Sequence, residues 1–353
     1  MNSCLLTLLR ISLILLALSA QAALPPAVKV EWAMDKAYRE TAPSRERICL
    51  NGLWRWQPSG ENAAAVPADA WGFFKVPGAW PGITDYMQKD SQTVFANEAW
   101  RGTRLRDVSA AWYERELVVP KSWAGRRIVI STAYLNSFAV VFVDGKRAGE
   151  MRFPAGEVDV TAHCLPGETQ KLSLWVSALP LKAVLLSYSD SAAAREIRGS
   201  VARRGLCGDV FLEGIRHGPR LESTQVNTSV RKSEISLTTT MAGLPAGAAF
   251  RLRAEIARAG KPVTHFESPL FRASDLTDGA FLFRGKWQPE ELWDIHTPQN
   301  QFQAVLQLLD EDRNLLDAAT PAPFGFREFW IDGRDFYLNG SRIFLSAVPL
   351  DNA

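Results

Sequence analysis

Short runs of alternating apolar and polar residues, separated by glycine and proline, fill the chain from residue 45 to residue 212. The run at 138–143 ends at Asp144-Gly145, a dipeptide that favours a type I′ hairpin because both turn residues need a positive φ. No window carries a sustained apolar stripe with the period of a helix. The pattern predicts an all-β sandwich or jelly roll. The predicted strands lie at 114–119, 127–130, 138–143, 172–176 and 209–212.

A second set of strands follows a predicted boundary at residues 217–219. Residues 250–257 alternate, with apolar side chains at even positions and mostly charged side chains at odd positions. This alternation is typical of an antiparallel strand that is buried on one face. The span from residue 218 to about residue 323 is close to the ~100 residues of an immunoglobulin-like sandwich. Further strands are predicted at 234–241, 262–267 and 302–309.

The last stretch combines two short β segments with a near-continuous apolar run at 342–348. Such a run is typical of a strand covered on both faces, as in a parallel sheet. A buried strand needs ladder partners for its main-chain groups, and few residues follow this one before Ala353. We therefore expect its partners to lie outside this sequence.

Composition narrows the class of protein without naming a function. A length of 353 residues suggests two domains and an incomplete third. The formal net charge of +2 gives no electrostatic case for a nucleic-acid or anionic-membrane partner. At 47% hydrophobic and 22% charged residues, the chain is neither disordered nor membrane-embedded.

The first residues form a separate segment. Residues 11–20 are apolar, and Ala20-Gln21-Ala22 offers the small-x-small pattern of a signal-peptidase site. We expect residues 1–22 to be a cleaved secretory signal, residues 23–44 to be an N-terminal extension, and the protein to be secreted or periplasmic. The alternative is an uncleaved anchor.

Three cysteines lie beyond the predicted signal: Cys49, Cys164 and Cys207. At most one intramolecular disulfide can form among them, and the sequence leaves the pairing open. Neither these cysteines nor the four scattered histidines have the spacing of a metal site. The sequence therefore predicts structural thiols, no metal and no cofactor.

The order of several short motifs resembles the N-terminal, non-catalytic half of glycoside hydrolase family 2, which includes β-galactosidases, β-glucuronidases and β-mannosidases. This resemblance implies a jelly-roll sugar-binding domain at 45–217 and an immunoglobulin-like β-sandwich at 218–323. It also implies a hairpin and the truncated first strand of a missing (β/α)₈ barrel at 324–353. The motifs are Leu50-Asn51-Gly52-Leu53-Trp54, 76–80, 112–117, 141–146, 156–161, 208–212, 292–298, Phe324-Gly325-Phe326-Arg327-Glu328 and Phe336-Tyr337-Leu338-Asn339-Gly340.

The resemblance implies that the catalytic residues lie outside this chain. Retaining glycoside hydrolysis uses two carboxyl groups about 5–5.5 Å apart, and in this family both are glutamates on barrel strands. Asn97-Glu98 imitates the family's acid/base dipeptide, but it lies among jelly-roll strands. We therefore predict that Glu98 is not catalytic and assign no catalytic residue.

Three residues are candidates for substrate binding: Asn97, Trp100 and Asp190. Residues 95–100 are similar to a loop by which the jelly roll of some family members reaches the active site, which implies that Asn97 hydrogen-bonds a sugar hydroxyl. The alternative is a turn-forming asparagine satisfied by main-chain groups. Asp190 matches another acidic loop of the family more loosely. Tryptophans in loop-like segments (Trp71, Trp80 and Trp100) are the expected sugar platforms, whereas those on strands (Trp54, Trp56, Trp112 and Trp175) are expected in the core.

One departure from the family limits the prediction of substrate. Many members continue past the Leu-Asn-Gly motif with an Arg-Gly pair and a histidine, which residues 345–351 lack. The sequence therefore does not choose among galactoside, glucuronide and mannoside. The leading hypothesis is the accessory part of a secreted family-2-type glycosidase with a carbohydrate ligand. The alternatives are a free-standing carbohydrate-binding β-sandwich and a structural interaction module.

Overall fold

The computed structural model describes residues 24–25, 28–62, 65–80, 94–178, 181–186, 195–199 and 203–346. Within these residues the fold is all β, with short 3₁₀ helices as its helical elements, so the predicted fold class is confirmed. None of the helices in this part of the chain has the length and apolar character needed to cross a bilayer. The predicted signal peptide lies outside the described residues.

The first unit is a jelly-roll sandwich of two antiparallel sheets. A five-stranded sheet has the order β1-β2-β16-β7-β11, and a seven-stranded sheet has the order β10-β9-β12-β6-β3-β4-β5. Two small two-stranded sheets, β13-β14 and β15-β8, accompany them. The strands are β1 (Arg39–Thr41), β2 (Arg45–Cys49), β3 (Gly52–Ser59), β4 (Gly72–Val76), β5 (Val94–Phe95), β6 (Ala110–Val118), β7 (Arg127–Thr132), β8 (Leu135–Asn136), β9 (Phe138–Val143), β10 (Lys146–Arg152), β11 (Gly156–Asp159), β12 (Thr169–Ser177), β13 (Leu181–Leu186), β14 (Arg195–Gly199), β15 (Gly205–Leu206) and β16 (Val210–Ile215).

Alternation along each strand fills the space between the two large sheets. On β6, Tyr113 and Leu117 point into the core, where they meet Trp54 and Trp56 of β3. The intervening residues of the seven-stranded sheet point to its outer face, where Trp112 and Trp175 form a second apolar cluster. The prediction that the strand tryptophans belong to the core is confirmed, and burying each large side chain contributes about 1.5–3 kcal/mol. One turn fixes the register of β9 and β10. Asp144 and Gly145 have φ of 47° and 75°, so the predicted I′ hairpin joins these two strands.

The N-terminal extension is part of this sandwich in the structure. Strand β1 pairs with β2, and the indole of Trp32 donates to the carbonyl oxygen of Cys49 at 2.9 Å. At the β2–β3 turn, the side chain of Asn51 donates to Asp209 at 2.7 Å and accepts from the main-chain N–H of Val210 at 3.1 Å. Asn51 therefore joins the β2–β3 turn, near the beginning of the jelly roll, to the start of β16, its last strand.

The second unit is an immunoglobulin-like sandwich. Its three-stranded sheet has the order β17-β18-β21, and its other sheet has the order β20-β19-β22-β23, with β24 pairing to β22. The even-numbered residues of β19 from Phe250 to Ile256 are buried, so the alternation predicted for 250–257 is confirmed. The strands are β17 (Arg220–Ser229), β18 (Glu234–Ala242), β19 (Phe250–Arg258), β20 (Lys261–Glu267), β21 (Ala280–Lys286), β22 (Phe302–Asp310), β23 (Leu315–Ala318) and β24 (Ala322–Phe324).

The two units have separate apolar cores. Strand β16 ends at Ile215 and β17 begins at Arg220, and the predicted domain boundary falls in this connection. The division of the chain at residues 217/218 and 323/324 stays a prediction.

The last described element is an antiparallel meander of three strands: β25 (Phe329–Asp332), β26 (Asp335–Leu338) and β27 (Ser341–Ile343). The ladder of the apolar run at 342–348 ends at Ile343, and Phe344 and Leu345 are 84% and 57% exposed. Among the described residues, this part of the run therefore has no covering partner beyond β26. The expectation that its partners lie outside this sequence stays a prediction.

Candidate functional site

Asn97 lies at the start of the loop that the sequence singled out. It precedes a 3₁₀ helix, Glu98–Trp100, and its side-chain oxygen caps that helix by accepting from the N–H of Ala99 at 2.9 Å. Its amide nitrogen donates to the carbonyl oxygen of Trp71 at 3.2 Å, and the residue is 4% exposed. The amide therefore has protein partners at both of its polar atoms. Its role in sugar binding stays a prediction.

Trp100 anchors the same loop against the jelly roll. Its indole N–H donates to the carbonyl oxygen of Ala70 at 2.8 Å. Its ring meets that of Trp56 edge-on at 5.2 Å between centroids. Gly72 makes this approach feasible, because a Cβ there would lie 2.9 Å from Cη2 of the Trp100 ring. The ring is half-buried, so only part of it is available to a ligand.

The other candidates differ from Trp100. Trp71 and Trp80 are 1% and 0% exposed, so the expectation that they form exposed platforms is wrong. Trp71 packs beneath the guanidinium of Arg55 at 4.9 Å, and the indole of Trp80 donates to the hydroxyl of Tyr113. Asp190 lies outside the described residues.

Glu98 has no feature of a catalytic acid. It is exposed and pairs with Arg101 one turn along the 3₁₀ helix. It therefore has neither an enclosed position nor a second carboxyl group as a partner, and the prediction that it is not catalytic agrees with its place on the surface.

A run of arginines continues the loop beyond Trp100. Gly102, with φ of 91°, turns the chain into a second 3₁₀ helix, Leu105–Asp107. Arg104 pairs with Asp107 at 2.6 Å. The guanidinium of Arg204 donates to the carbonyl oxygen of Arg106 at 2.6 Å and ties this loop to the segment that precedes β15.

The Phe-Gly-Phe-Arg-Glu and Leu-Asn-Gly motifs form one interlocked unit. Asn339 accepts from the N–H of Glu328 at 2.9 Å and donates to the carbonyl oxygen of Trp293 at 2.8 Å. The guanidinium of Arg327 lies over the ring of Trp293 at 4.4 Å. Glu328 and Asn339 therefore close the open end of the β25–β26 hairpin, and Asn339 ties it to the segment of Trp293.

A cavity of about 600 Å³ opens beside this unit. Its lining combines aromatic residues, among them Trp293 and Phe324, with amide, hydroxyl and charged groups. This mixture suits a polar ligand, but the hydroxyl of Thr228 is already bonded to both main-chain groups of Arg327, at 2.6 and 3.1 Å. The lining includes Asn227, Thr228, Trp293, Gln301, Phe324 and Arg327.

Glu328 is the most strongly bonded carboxylate of the meander region. It accepts from the side chain of Arg231 at 2.6 and 2.8 Å, from the N–H of Arg231 at 2.8 Å and from the hydroxyl of Ser229 at 3.1 Å. Burial alone would raise its pKa, but the hydrogen bonds and the charge of Arg231 outweigh burial and lower the pKa below the ordinary value. The carboxylate therefore holds β25 against the β17–β18 connection.

Apolar side chains are exposed on the meander. Phe329 and Ile331, two residues apart on β25, point to the same side and are 48% and 61% exposed. Phe344 and Leu345, just beyond β27, are exposed as well, and the guanidinium of Arg342, which lies on the other face of the meander from Phe329, sits over the ring of Phe344 at 5.1 Å. We call these four exposed apolar residues together the meander surface, and clusters of exposed apolar side chains are common at contact sites.

Cys49, Cys164 and Cys207 are all unpaired. Burial raises the pKa of Cys164 to about 12 and that of Cys207 to about 11, so both thiols are protonated at neutral pH. Among the described residues, no group of three or more histidine, cysteine, aspartate and glutamate side chains could hold a metal ion.

The sequence did not identify Arg204 or Glu328 as residues that hold two segments together. Both are ordinary charged residues by local pattern, and their partners lie 98 and 97 residues away, at Arg106 and Arg231. The motif around Glu328 was visible, but its bonding was not.

Sequence comparisons relate part of the chain to β-glucuronidases. The feline enzyme is 32% identical over 118 residues, which cover 32% of this chain and 17% of the enzyme. The Paenibacillus borealis enzyme is 30% identical over 137 residues, which cover 38% of this chain and 21% of the enzyme. These matches thus span about a fifth of the curated relatives' length. No family model matches the chain.

Structure comparisons extend the likeness to most of the chain. The Bifidobacterium dentium β-glucuronidase complexed with coumarin-3-O-glucuronide aligns with a TM-score of 0.60 at 19% identity, covering 86% of this chain and 52% of that enzyme. The Ruminococcus gnavus β-glucuronidase in complex with uronic deoxynojirimycin aligns with a TM-score of 0.61 at 15% identity, covering 87% and 50%. This chain therefore has the fold of about half of each solved enzyme, and the predicted family resemblance is confirmed.

Proposed function

We propose that this chain, a homologue of the β-glucuronidases of glycoside hydrolase family 2, is the N-terminal accessory part of a secreted hydrolase. The reaction would be cleavage of the O-glycosidic bond of a glucuronide, because the similar enzymes are β-glucuronidases. The catalytic (β/α)₈ barrel would lie outside this chain, and the two sandwiches would support it.

The meander surface carries this proposal. Phe329, Ile331, Phe344 and Leu345 are between 48% and 84% exposed at the end of the described chain. Covering apolar side chains contributes about 25 cal/mol for each Å² removed from water. A barrel whose first strand continues from β27 would cover this surface, and Glu328 would fix the meander relative to the second sandwich.

The chemistry of glycoside hydrolysis supports the assignment of catalysis to the barrel and of a supporting role to the two sandwiches. The reaction needs an acid/base and a nucleophile on a rigid scaffold, and barrel enzymes place such groups at the C-terminal ends of barrel strands. Glu98 is exposed and paired with Arg101, and Glu328 is bonded to Arg231, so neither is free to act. We expect Asn97 and Trp100 to form part of the rim of the substrate pocket, with Asp190.

The proposal is tested with the DNA that follows the codon for Ala353. We expect an open frame that encodes an Asn-Glu dipeptide and a second glutamate on barrel strands. The extended protein should hydrolyse 4-nitrophenyl β-D-glucuronide, and this chain alone should not. Ile331→Lys should impair activity of the extended protein, whereas Asp332→Lys, an exposed neighbour, serves as the control.

Two outcomes would contradict the proposal. One is turnover by this chain alone. The other is a stop codon directly after Ala353 together with a monomeric chain that binds a glycan in a calorimetric titration, which would establish a free-standing carbohydrate-binding protein. Secretion is tested separately, by N-terminal sequencing of exported protein, and a mature terminus near Ala23 is expected.

A further inference from the structure

Five arginines gather on one rim of the jelly roll: Arg101, Arg104, Arg106, Arg203 and Arg204. We call this set the arginine rim. The carboxylates beside it are those of Glu98 and Asp107, so the local net charge is +3, on a chain whose total formal charge is +2. The rim therefore concentrates positive charge that the rest of the molecule balances.

The fold holds the rim in place at both of its segments. Trp100 fixes the start of the loop through its bond to Ala70 at 2.8 Å. The guanidinium of Arg204, which is 7% exposed, donates to the carbonyl oxygen of Arg106 at 2.6 Å. Residues 101–106 and 203–204 are therefore one surface, although about 100 positions separate them in sequence.

The members of the rim are not equally available. Arg101 and Arg104 are paired with Glu98 and Asp107. Arg106 and Arg203 are exposed, and within the described residues neither forms an ion pair. Arg204 is buried, and its Nε has no hydrogen-bond partner among these residues. The rim thus presents two exposed guanidinium groups, those of Arg106 and Arg203, and a buried one whose Nε has no partner among the described residues.

We propose that the arginine rim binds the anionic groups of an acidic polysaccharide. Guanidinium groups bind carboxylates and sulfate esters through paired N–H donors in one plane. A single exposed ion pair contributes little, but a polymer that carries a charge on each repeat engages several arginines at once. The rim belongs to the same loop as Asn97 and Trp100, so the polymer would extend past the sugar that the complete enzyme cleaves.

This inference rests on the proposed function for its ligand class and is tested without any hydrolysis. The full chain is titrated with polygalacturonate, which carries carboxylates, with dextran sulfate, which carries sulfate esters, and with neutral dextran. Binding of a charged polymer should be strong at low salt and should weaken as the Debye length falls to about 3 Å near 1 M salt. The charged polymer that binds more tightly identifies the anionic group.

Charge-reversal variants locate the surface. The double variant Arg106→Glu and Arg203→Glu should weaken binding about tenfold, because each change replaces an attraction by a repulsion. The control is Arg334→Glu, at an exposed position in the β25–β26 turn, which should change the affinity less than about twofold. Both test positions are exposed, so folding is preserved and circular dichroism should be unchanged.

Three outcomes would overturn the inference: equal binding of neutral dextran, equal loss in the control variant, and full binding by the double variant. None of these outcomes depends on a barrel. A stop codon after Ala353 would contradict the proposed function and leave polymer binding to be measured on this chain. Conversely, the extended protein could cleave glucuronides and yet bind neither charged polymer. That result would overturn this inference and leave the proposed function standing.

Discussion

Arg45 on β2 and Asp317 on β23 form a buried ion pair between the two sandwiches. Their side chains are 14% and 2% exposed. The same carboxylate accepts from the hydroxyl of Ser44 and from the N–H of Leu221 at 2.8 Å. Asp317 therefore contacts a strand of the first sandwich, the first strand of the second, and the residue that precedes β2. This carboxylate therefore links the two units, together with the bond from Arg45 to the carbonyl oxygen of Leu221 at 2.9 Å.

Asp317→Ala should destabilise the chain by about 3–5 kcal/mol, because it leaves the Arg45 guanidinium without its charged partner and with only the carbonyl oxygen of Leu221, at 2.9 Å, as an acceptor among the described residues. The measurement is equilibrium unfolding in urea followed by tryptophan fluorescence. We expect a lower midpoint and separate transitions for the two sandwiches, since their apolar cores are distinct.

The matched control for this prediction is Asp332→Ala, an exposed aspartate on β25, which should change stability by less than about 0.5 kcal/mol. Replacing both members of the pair, with Arg45→Met and Asp317→Leu, should recover most of the loss, because no buried charge is left unpaired. A single cooperative transition with an unchanged midpoint in Asp317→Ala would show that the pair does not join the units.

Asn97→Ala should lower stability by about 1–3 kcal/mol, because it removes the side chain that bonds the buried carbonyl oxygen of Trp71 and the partly buried N–H of Ala99. Glu98→Gln, at the next and exposed position, is the control and should be nearly neutral. Thermal unfolding of both variants checks this expectation. An Asn97→Ala variant as stable as the parent would instead favour the sugar-binding role that the family resemblance implies.

Local patterns predicted much of the fold. The alternation of Phe250–Arg258 identified β19, and the run at Phe138–Val143 with its Asp144-Gly145 turn identified β9 and its hairpin. These features depend on residues that are neighbours in sequence. Strand β17 was missed because Arg220–Ser229 is mostly polar and depends on its pairing with β18.

Contacts between residues far apart in the chain could not be predicted from local sequence patterns. Arg45 and Asp317 are 272 positions apart, and nothing near either residue marks it as half of a pair. Trp80 was expected on the surface because its segment reads as a loop. Its indole is instead buried against Tyr113, and a loop sequence does not specify which of its side chains turn inward. The loop of Asn97 was located correctly, but the bond to Trp71 requires the fold.

Glu328 should make the stability of the chain sensitive to acid. Its pKa is lower in the folded protein than the ordinary value of about 4.3, so the folded state binds its proton less tightly than the unfolded state does. Its stabilising contribution is complete above the unfolded pKa and is lost as the pH falls through the folded pKa. The free energy of unfolding, measured in urea, should therefore fall less between pH 7 and acid pH for Glu328→Gln than for the parent. A difference of the same size in both proteins would contradict this assignment.

Gly72 should be intolerant of any side chain. A Cβ there would meet the carbonyl oxygen of Phe95 and the ring of Trp100, with Cη2 of the ring at 2.9 Å. Gly72→Ala should therefore displace Trp100 from its contact with Trp56 and cost about 1–3 kcal/mol, as overpacking does in other cores. Gly60→Ala is the control, because a Cβ at Gly60 has nothing within 4 Å. Urea unfolding measures the cost, and quenching of tryptophan fluorescence by acrylamide reports the exposure of the Trp100 ring. If the two alanine variants are equally stable and equally quenched, Trp100 does not depend on the space at Gly72. The loop that carries Asn97 and the arginine rim would then be held by the bond to Ala70 rather than by packing.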